Sequence, residues 1–139
     1  MRSHSLFALN HRARSIIFYA YDPLRLQEKH DPGSFKRFAP RVFNVVRLIR
    51  ELEPFFLADG APEVLAVEPL IAEAPPVEAK LHTANGRTIA VVTGDGPGEV
   101  RAKIKVGRSG MKSRFGHTKE VGNGIYEFAG KDTISDILE

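Results

Sequence analysis

The side chains with the clearest chemical potential are Tyr19, Tyr21 and Asp22, which lie at the end of an apolar run over residues 16–21 (IIFYAY). In a (β/α)8 barrel the carboxyl ends of the strands line the active site, so side chains in this position would border it. Aromatic rings placed there form platforms under sugar rings through C–H and π contacts. The sequence therefore predicts a carbohydrate contact at these residues. It leaves equally open that Tyr19 and Tyr21 are packing residues.

The other ionisable residues form no catalytic or metal-binding pattern. Glu51 and Glu53 lie two positions apart in a predicted helix and point to different faces, so they are not expected to act as a facing acid/base pair. Asp132 and Asp136 are predicted to be surface or turn residues at a strand end. Because the histidines lack metal-site spacing and the chain has no cysteine, neither a metal nor a cofactor is predicted. The histidines are His4, His11, His30, His82 and His117.

Two further patterns could be taken for phosphate or nucleic-acid sites, and each has a simpler interpretation. The glycine-rich residues 94–98 (GDGPG) lack the Lys-Ser/Thr pair of a phosphate loop, so they are interpreted as a hairpin connection. A cationic row has only Phe115 nearby to stack on bases, which favours a solvated face over a nucleic-acid site. The row consists of Arg101, Lys103, Lys105, Arg108, Lys112 and Arg114.

Length and composition are those of one ordinary domain, or of one small domain with an appendage. The 139 residues are 42% hydrophobic and 27% charged, with a formal net charge of +3. The positive excess lies between Arg2 and Arg41, which suits a solvated face or an anionic partner. No apolar stretch reaches the roughly 20 residues of a membrane span, and the N-terminal patch is too short for a signal peptide. The chain as it stands is therefore expected to be cytoplasmic, without a membrane partner.

The apolar run at residues 16–21 shows no alternation, which is typical of a strand covered on both faces in a parallel sheet. The backbone groups of such a strand need a neighbour on each side. Because the chain offers a single unit of this kind, residues 1–58 are expected to dock on another polypeptide, to associate with a second copy, or to form the end of a larger enzyme.

One helix is predicted before this strand in the sequence and another after it. Residues 5–13 are expected to form a short helix that leads into it. Residues 34–56 carry apolar side chains at three- and four-residue spacing and are predicted to form a longer helix with Ser34 as its N-cap. The regular part of that helix is expected to begin at Pro40, since proline is tolerated in a first turn.

From residue 59 onward the chain has short β-prone runs, spaced as in an all-β sandwich. Asn85-Gly86 and Asn123-Gly124 have the favoured composition of hairpin turns. Residues 100–106 alternate apolar side chains, predicted to point inward, with outward cations. The predicted fold class is therefore α+β, with a strand–helix unit (residues 1–58) followed by a mainly antiparallel β-sandwich domain (residues 59–139). The predicted strands are residues 64–67, 77–83, 88–93, 100–106, 113–115, 125–128 and 134–138.

The sequence ALNHRARSIIFYAYDPLRL, residues 8–26, resembles the last strand of glycoside hydrolase (β/α)8 barrels, where a pattern like A-L-x-H-G-A-x-G-I-x-x-Y/F precedes an aromatic loop. Arg12 and Ser15 stand where that pattern has glycine. Residues 43–64 are similar to the final barrel helix and its exit. Residues 114–130 are similar to the closing hairpins of the β-sandwich that often follows such barrels.

The resemblance implies a non-catalytic C-terminal portion of a glycoside-hydrolase-like protein, because such enzymes carry their catalytic carboxylates on earlier barrel strands. Its role would be structural or accessory, with a carbohydrate or a missing barrel polypeptide as its partner. Tyr19, Tyr21 and Asp22 would border the sugar-binding cleft if the chain were joined to that barrel. The chain alone is not expected to hydrolyse glycosides.

Two other classes of function stay open. One is a free-standing β-sandwich module that binds carbohydrate or protein, which for a sugar needs two or three exposed coplanar aromatic residues. The sandwich offers Phe115, Tyr126 and Phe128 for this purpose. The other is an interaction protein whose basic N-terminal third docks an anionic or protein partner.

Overall fold

The computed structural model describes residues 2–13 and 26–139 and shows an α+β fold made mainly of antiparallel sheet, as predicted. Helices α1 (Arg2–Asn10) and α2 (Ser34–Phe56) precede the strands. The strands are β1 (Glu63–Val64), β2 (Ala66–Pro69), β3 (Val77–Ala84), β4 (Arg87–Gly94), β5 (Glu99–Lys105), β6 (Thr118–Gly122), β7 (Ile125–Lys131) and β8 (Ile134–Leu138). The strand predicted at residues 16–21 lies outside the described residues.

The strands form two four-stranded antiparallel sheets. The first sheet has the order β1-β3-β4-β8, and the second has the order β2-β5-β7-β6. The tight turn between β3 and β4 is Asn85-Gly86, where both residues have positive φ values of 51° and 74°. These values are those of the turn that matches strand twist in a hairpin, so the sequence-based prediction of this turn is confirmed.

The two sheets pack face to face over an apolar core. The predicted alternation in β5 is confirmed, since Val100, Ala102 and Ile104 are buried while the cations between them are exposed. Tyr126 and Phe128 of β7 are fully buried in the same core. The Tyr126 hydroxyl donates to the Arg108 carbonyl (2.9 Å), which satisfies its polar end, and burial raises the pKa of this phenol.

The helices cover the outer face of the first sheet. Leu6 and Leu9 of α1 and Leu48 and Leu52 of α2 pack with Ile89 of β4 in a second apolar cluster, which also contains Phe55, Phe56, Val91 and Ile137. Strand β4 is therefore covered on both faces, by the helices and by the second sheet. Burial on both faces explains its continuous apolar sequence, although its neighbours are antiparallel.

The beginning of α2 differs from the prediction. Ser34 is the first helical residue, and the N-cap position is held by Gly33 at φ 85°. Glu28 accepts from the backbone N–H groups of Gly33 (2.8 Å) and Phe35 (2.7 Å), and the Ser34 N–H donates to the Asp31 carbonyl (3.0 Å). The two bonds to its carboxylate lower the pKa of Glu28. Pro40 lies inside the helix, so the expectation that the regular part starts there is wrong.

Two strand predictions are corrected as well. Residues 64–67 belong to two strands in different sheets, because the chain crosses between the sheets at the buried Leu65. Residues 113–115 contribute only one isolated bridge, between Ser113 and Leu138, and the strand of this region is β6.

Candidate functional site

A cavity and a cleft lie where the helices meet the first sheet. The His82 cavity, of about 220 Å³, is lined by Leu9, Arg12, Phe55, Glu63 and His82 among others. The arginine cleft, of about 250 Å³, is defined by Arg2, Arg47, Glu51, Arg114 and Phe115. They differ in charge, because the cavity is lined by both Arg12 and Glu63, whereas the cleft is lined by three arginines and the carboxylate of Glu51.

A buried polar network lies behind the His82 cavity. Asn10, the last residue of α1, is 0% exposed, and its side-chain amide donates to the Val91 carbonyl (3.3 Å). Its Oδ1 atom lies 3.1 Å from His82 Nε2, and Lys80 Nζ donates to its backbone carbonyl (2.7 Å). Because Asn10 Oδ1 can only accept, His82 Nε2 carries the proton in this arrangement. The network joins the end of α1 to the first sheet.

The environment of His82 keeps the imidazole neutral. Burial and then the positive charge of Lys80 lower the pKa of His82 to about 4. A general base works best when its pKa lies near the working pH, so His82 is poorly suited to proton transfer at neutral pH. Its position favours a structural role.

Stability is expected to fall as the pH drops from 7 to 5, because the unfolded chain binds a proton at His82 that the folded chain excludes. For a folded pKa of about 4 and an ordinary value of 6.5, the loss is about 1–2 kcal/mol. Urea unfolding at each pH measures it. Carboxylates with lowered pKa values, such as Glu28 and Glu120, lose their contribution to stability only at lower pH, below the ordinary glutamate pKa of 4.5. His82→Gln should flatten the slope between pH 7 and 5, and an unchanged slope would contradict this assignment.

Arg12 lies at the mouth of the same cavity in a left-handed conformation, with φ 60°. The Ala13 N–H donates to the Ala8 carbonyl (2.9 Å) and the Arg12 N–H to the Leu9 carbonyl (3.0 Å). These two bonds form a Schellman motif, in which glycine is usual at the left-handed position. The Arg12 guanidinium donates to the Asp59 carbonyl (3.3 Å) and so ties the end of α1 to the segment after α2.

The arginine cleft is ordered by ionic and ring contacts. Arg114 donates from both terminal nitrogens to the two carboxylate oxygens of Glu51, each at 2.6 Å. This fork-to-fork contact lowers the pKa of Glu51 and raises that of Arg114. The Arg2 guanidinium lies 3.9 Å from the centre of the Phe115 ring. One arginine of the cleft is thus paired, while another is stacked on an aromatic face.

Asp136 holds the segment that carries Arg114 and Phe115. It is 0% exposed, so the prediction of a surface or turn position is wrong. Its carboxylate accepts from the Ser113 hydroxyl (2.6 Å) and from the backbone N–H groups of Phe115 (2.9 Å) and His117 (2.9 Å). Sequence reasoning missed this residue, although an aspartate inside the apolar run of β8 was the available signal. Asp132 does lie in a turn, with φ 61°.

The predicted sugar-contacting residues Tyr19, Tyr21 and Asp22 lie outside the described residues, so their placement stays a prediction. The aromatic residues of the sandwich do not form an exposed platform. Tyr126 and Phe128 are fully buried, and Phe115 is covered by Arg2.

The cationic row of β5 faces solvent and is partly neutralised. Arg101 Nε donates to Glu127 (2.6 Å), and Lys103 lies in register between Glu68 and Glu127 on the neighbouring strands. Arg114, at the end of the predicted row, is paired with Glu51. This pairing favours the interpretation of a solvated face over a nucleic-acid site.

Within residues 2–13 and 26–139, no three His, Cys, Asp or Glu side chains are grouped as metal ligands. No helix of this described part is long and apolar enough to cross a membrane. Comparisons of the chain with protein-family models, with curated proteins and with solved structures found no match.

Proposed function

We propose that this chain is a non-catalytic accessory module, the C-terminal part of a glycoside-hydrolase-like protein. Its role is structural, with a weak carbohydrate contact through Tyr19, Tyr21 and Asp22. The partner that would complete the sugar-binding cleft is a barrel polypeptide, which is either joined to this chain or bound by it.

The arrangement of carboxylates carries this proposal. Glycoside hydrolysis needs two carboxyl groups roughly 5–10 Å apart across the scissile bond. Among the described residues, Glu63 is the carboxylate of the His82 cavity, and Glu51 is that of the arginine cleft. Because Glu51 is held by both terminal nitrogens of Arg114, it is not available as an acid or a nucleophile. Neither surface offers the required pair.

The backbone at Arg12 supports the glycosidase resemblance. The barrel pattern has glycine where this sequence has Arg12, and Arg12 adopts the left-handed conformation that favours glycine. This agreement between pattern and backbone lies at the end of α1, just before the predicted strand.

The sugar contact is tested by titrating the purified chain with oligosaccharides while following backbone NMR signals. We expect weak, saturable shifts that disappear in a variant carrying Tyr19→Ala and Tyr21→Ala. A matched variant, Tyr126→Phe, keeps the buried ring and removes only its hydroxyl, so it should bind as the native chain does. Binding that survives the loss of both Tyr19 and Tyr21 would contradict the assigned contact.

A second candidate function is a protein-interaction module, and the exposed face of α2 favours it. Phe43 and Val46 are 59% and 39% exposed and lie beside the cationic Arg47 and Arg50. This face could take a second copy of the chain or another protein. Sedimentation of the purified chain over a range of concentrations distinguishes these two occupants. Self-association that Phe43→Glu abolishes would show that a second copy of the chain binds this face.

A further inference from the structure

We propose that the arginine cleft is a binding site for a small oxyanion, a phosphate or carboxylate group. The site lies between α1, the middle of α2 and the segment after Ser113. It shares no lining residue with the His82 cavity.

The charge balance of the cleft favours an anion. It contains the guanidinium groups of Arg2, Arg47 and Arg114 and the single carboxylate of Glu51. Glu51 is already engaged by Arg114, so it neutralises only one of these charges. Glu139 lies 3.9 Å from the same Arg114, so three guanidinium groups face two carboxylates and one positive charge is left over, which concentrates anions in this concave surface.

The orientation of the Arg2 side chain is suited to binding an anion. Its guanidinium stacks on the Phe115 ring at 3.9 Å, which restricts the plane of its donors. Its Nε atom is buried and has no hydrogen-bond acceptor among the described residues. Because Nε is enclosed, an oxyanion in the cleft would instead offset the positive charge of this guanidinium, which partial burial makes costly.

The wall of the cleft formed by Arg114 and Phe115 is held in place by two carboxylates. Asp136 binds the backbone N–H groups of Phe115 and His117, so the stacking ring is held in place by a buried carboxylate. Glu51 fixes Arg114 with two short bonds and so aligns a guanidinium on the cleft wall. Sites that hold their donors before the ligand arrives lose less entropy on binding.

The chemistry and the size select the ligand class. Arginine forks match the geometry of phosphate and carboxylate oxygens. The cleft volume of about 250 Å³ suits a small ion or one acidic group of a larger molecule. A divalent cation is disfavoured, because Glu51, the carboxylate that lines the cleft, is paired with Arg114.

The test is a titration of the full chain with inorganic phosphate, and separately with citrate, at constant ionic strength set by sodium chloride. Backbone NMR signals of residues 113–117 report binding. We expect saturable shifts at this segment. Arg2→Gln and Arg47→Gln should each weaken binding about tenfold, the usual loss for one charge-assisted bond. The matched control is Arg50→Gln, which removes an exposed arginine of the same helix outside the cleft and should change affinity less than about twofold.

A preference for phosphate or for citrate identifies which oxyanion the site binds, and either preference supports the proposed oxyanion site. Arg2→Lys separates charge from geometry, since it keeps the charge but lacks the planar guanidinium that stacks on Phe115, and its binding should stay weak. If Arg2→Gln proves unfolded by circular dichroism, Arg47→Gln decides, because Arg47 is exposed on α2. The absence of saturation with both anions, or an equal loss in Arg50→Gln, would overturn the proposal.

Discussion

Asp136→Ala is expected to lower the free energy of unfolding by about 3–5 kcal/mol, because it leaves three donors unsatisfied at about 1–3 kcal/mol for each one that stays buried. The substitution leaves the backbone N–H groups of Phe115 and His117 and the hydroxyl of Ser113 without their acceptor. These groups lie in a segment bridged to β8, so the loss also loosens the wall of the arginine cleft. Urea unfolding followed by circular dichroism measures the change.

Two further variants give this experiment its controls. Asp136→Asn keeps one acceptor oxygen and should lose less stability than Asp136→Ala. Asp132→Asn makes the same chemical change in an exposed turn, where asparagine tolerates the left-handed conformation, and should cost less than about 1 kcal/mol. Equal losses at Asp136 and Asp132 would show that the buried carboxylate has no special role.

Gly124→Ala is expected to destabilise the fold by about 3–4 kcal/mol, because strain and overpacking add. Gly124 has φ 69°, and a Cβ atom there would lie 2.7 Å from the Arg108 backbone nitrogen and 2.8 Å from the Gly107 carbonyl carbon. Its carbonyl also accepts from the Val106 N–H (2.8 Å), so the turn cannot withdraw without loss. Thermal or urea unfolding measures this change.

Gly86→Ala is the matched control for this position. Gly86 has a similar φ of 74°, but a Cβ atom there meets no heavy atom within 4 Å. Only the backbone strain remains, about 1–2 kcal/mol. The difference between the two variants isolates the steric contact, and equal losses would contradict the close packing of the β6–β7 turn on residues 107–108.

The features that the sequence predicted well depend on local chemistry. Asn85-Gly86 selects its own hairpin turn, and the alternation in residues 100–106 sets which side chains enter the core. The span of α2 also follows from its apolar periodicity. In each case the deciding residues lie within a few positions of one another.

The features that the sequence did not predict depend on distant partners. Asp136 is buried because its acceptor oxygens are matched by donors of residues 113–117, about twenty positions away. The arginine cleft joins Arg2 to Phe115, a pairing that no local pattern indicates. Ser34 was predicted to be the N-cap, yet Gly33 holds that position and Glu28 accepts from the N–H groups of Gly33 and Phe35 from outside the helix. Tertiary contacts decided each of these positions.

The proposal of a non-catalytic module is tested most directly by incubating the purified chain with a panel of chromogenic aryl glycosides. Glycosidases accelerate hydrolysis by many orders of magnitude, so even a poor catalyst would release dye above the buffer blank. We expect no release with any substrate. Dye release that follows the chain through purification and is abolished by Glu63→Gln or Asp22→Asn would place a working carboxylate in this chain and contradict the account.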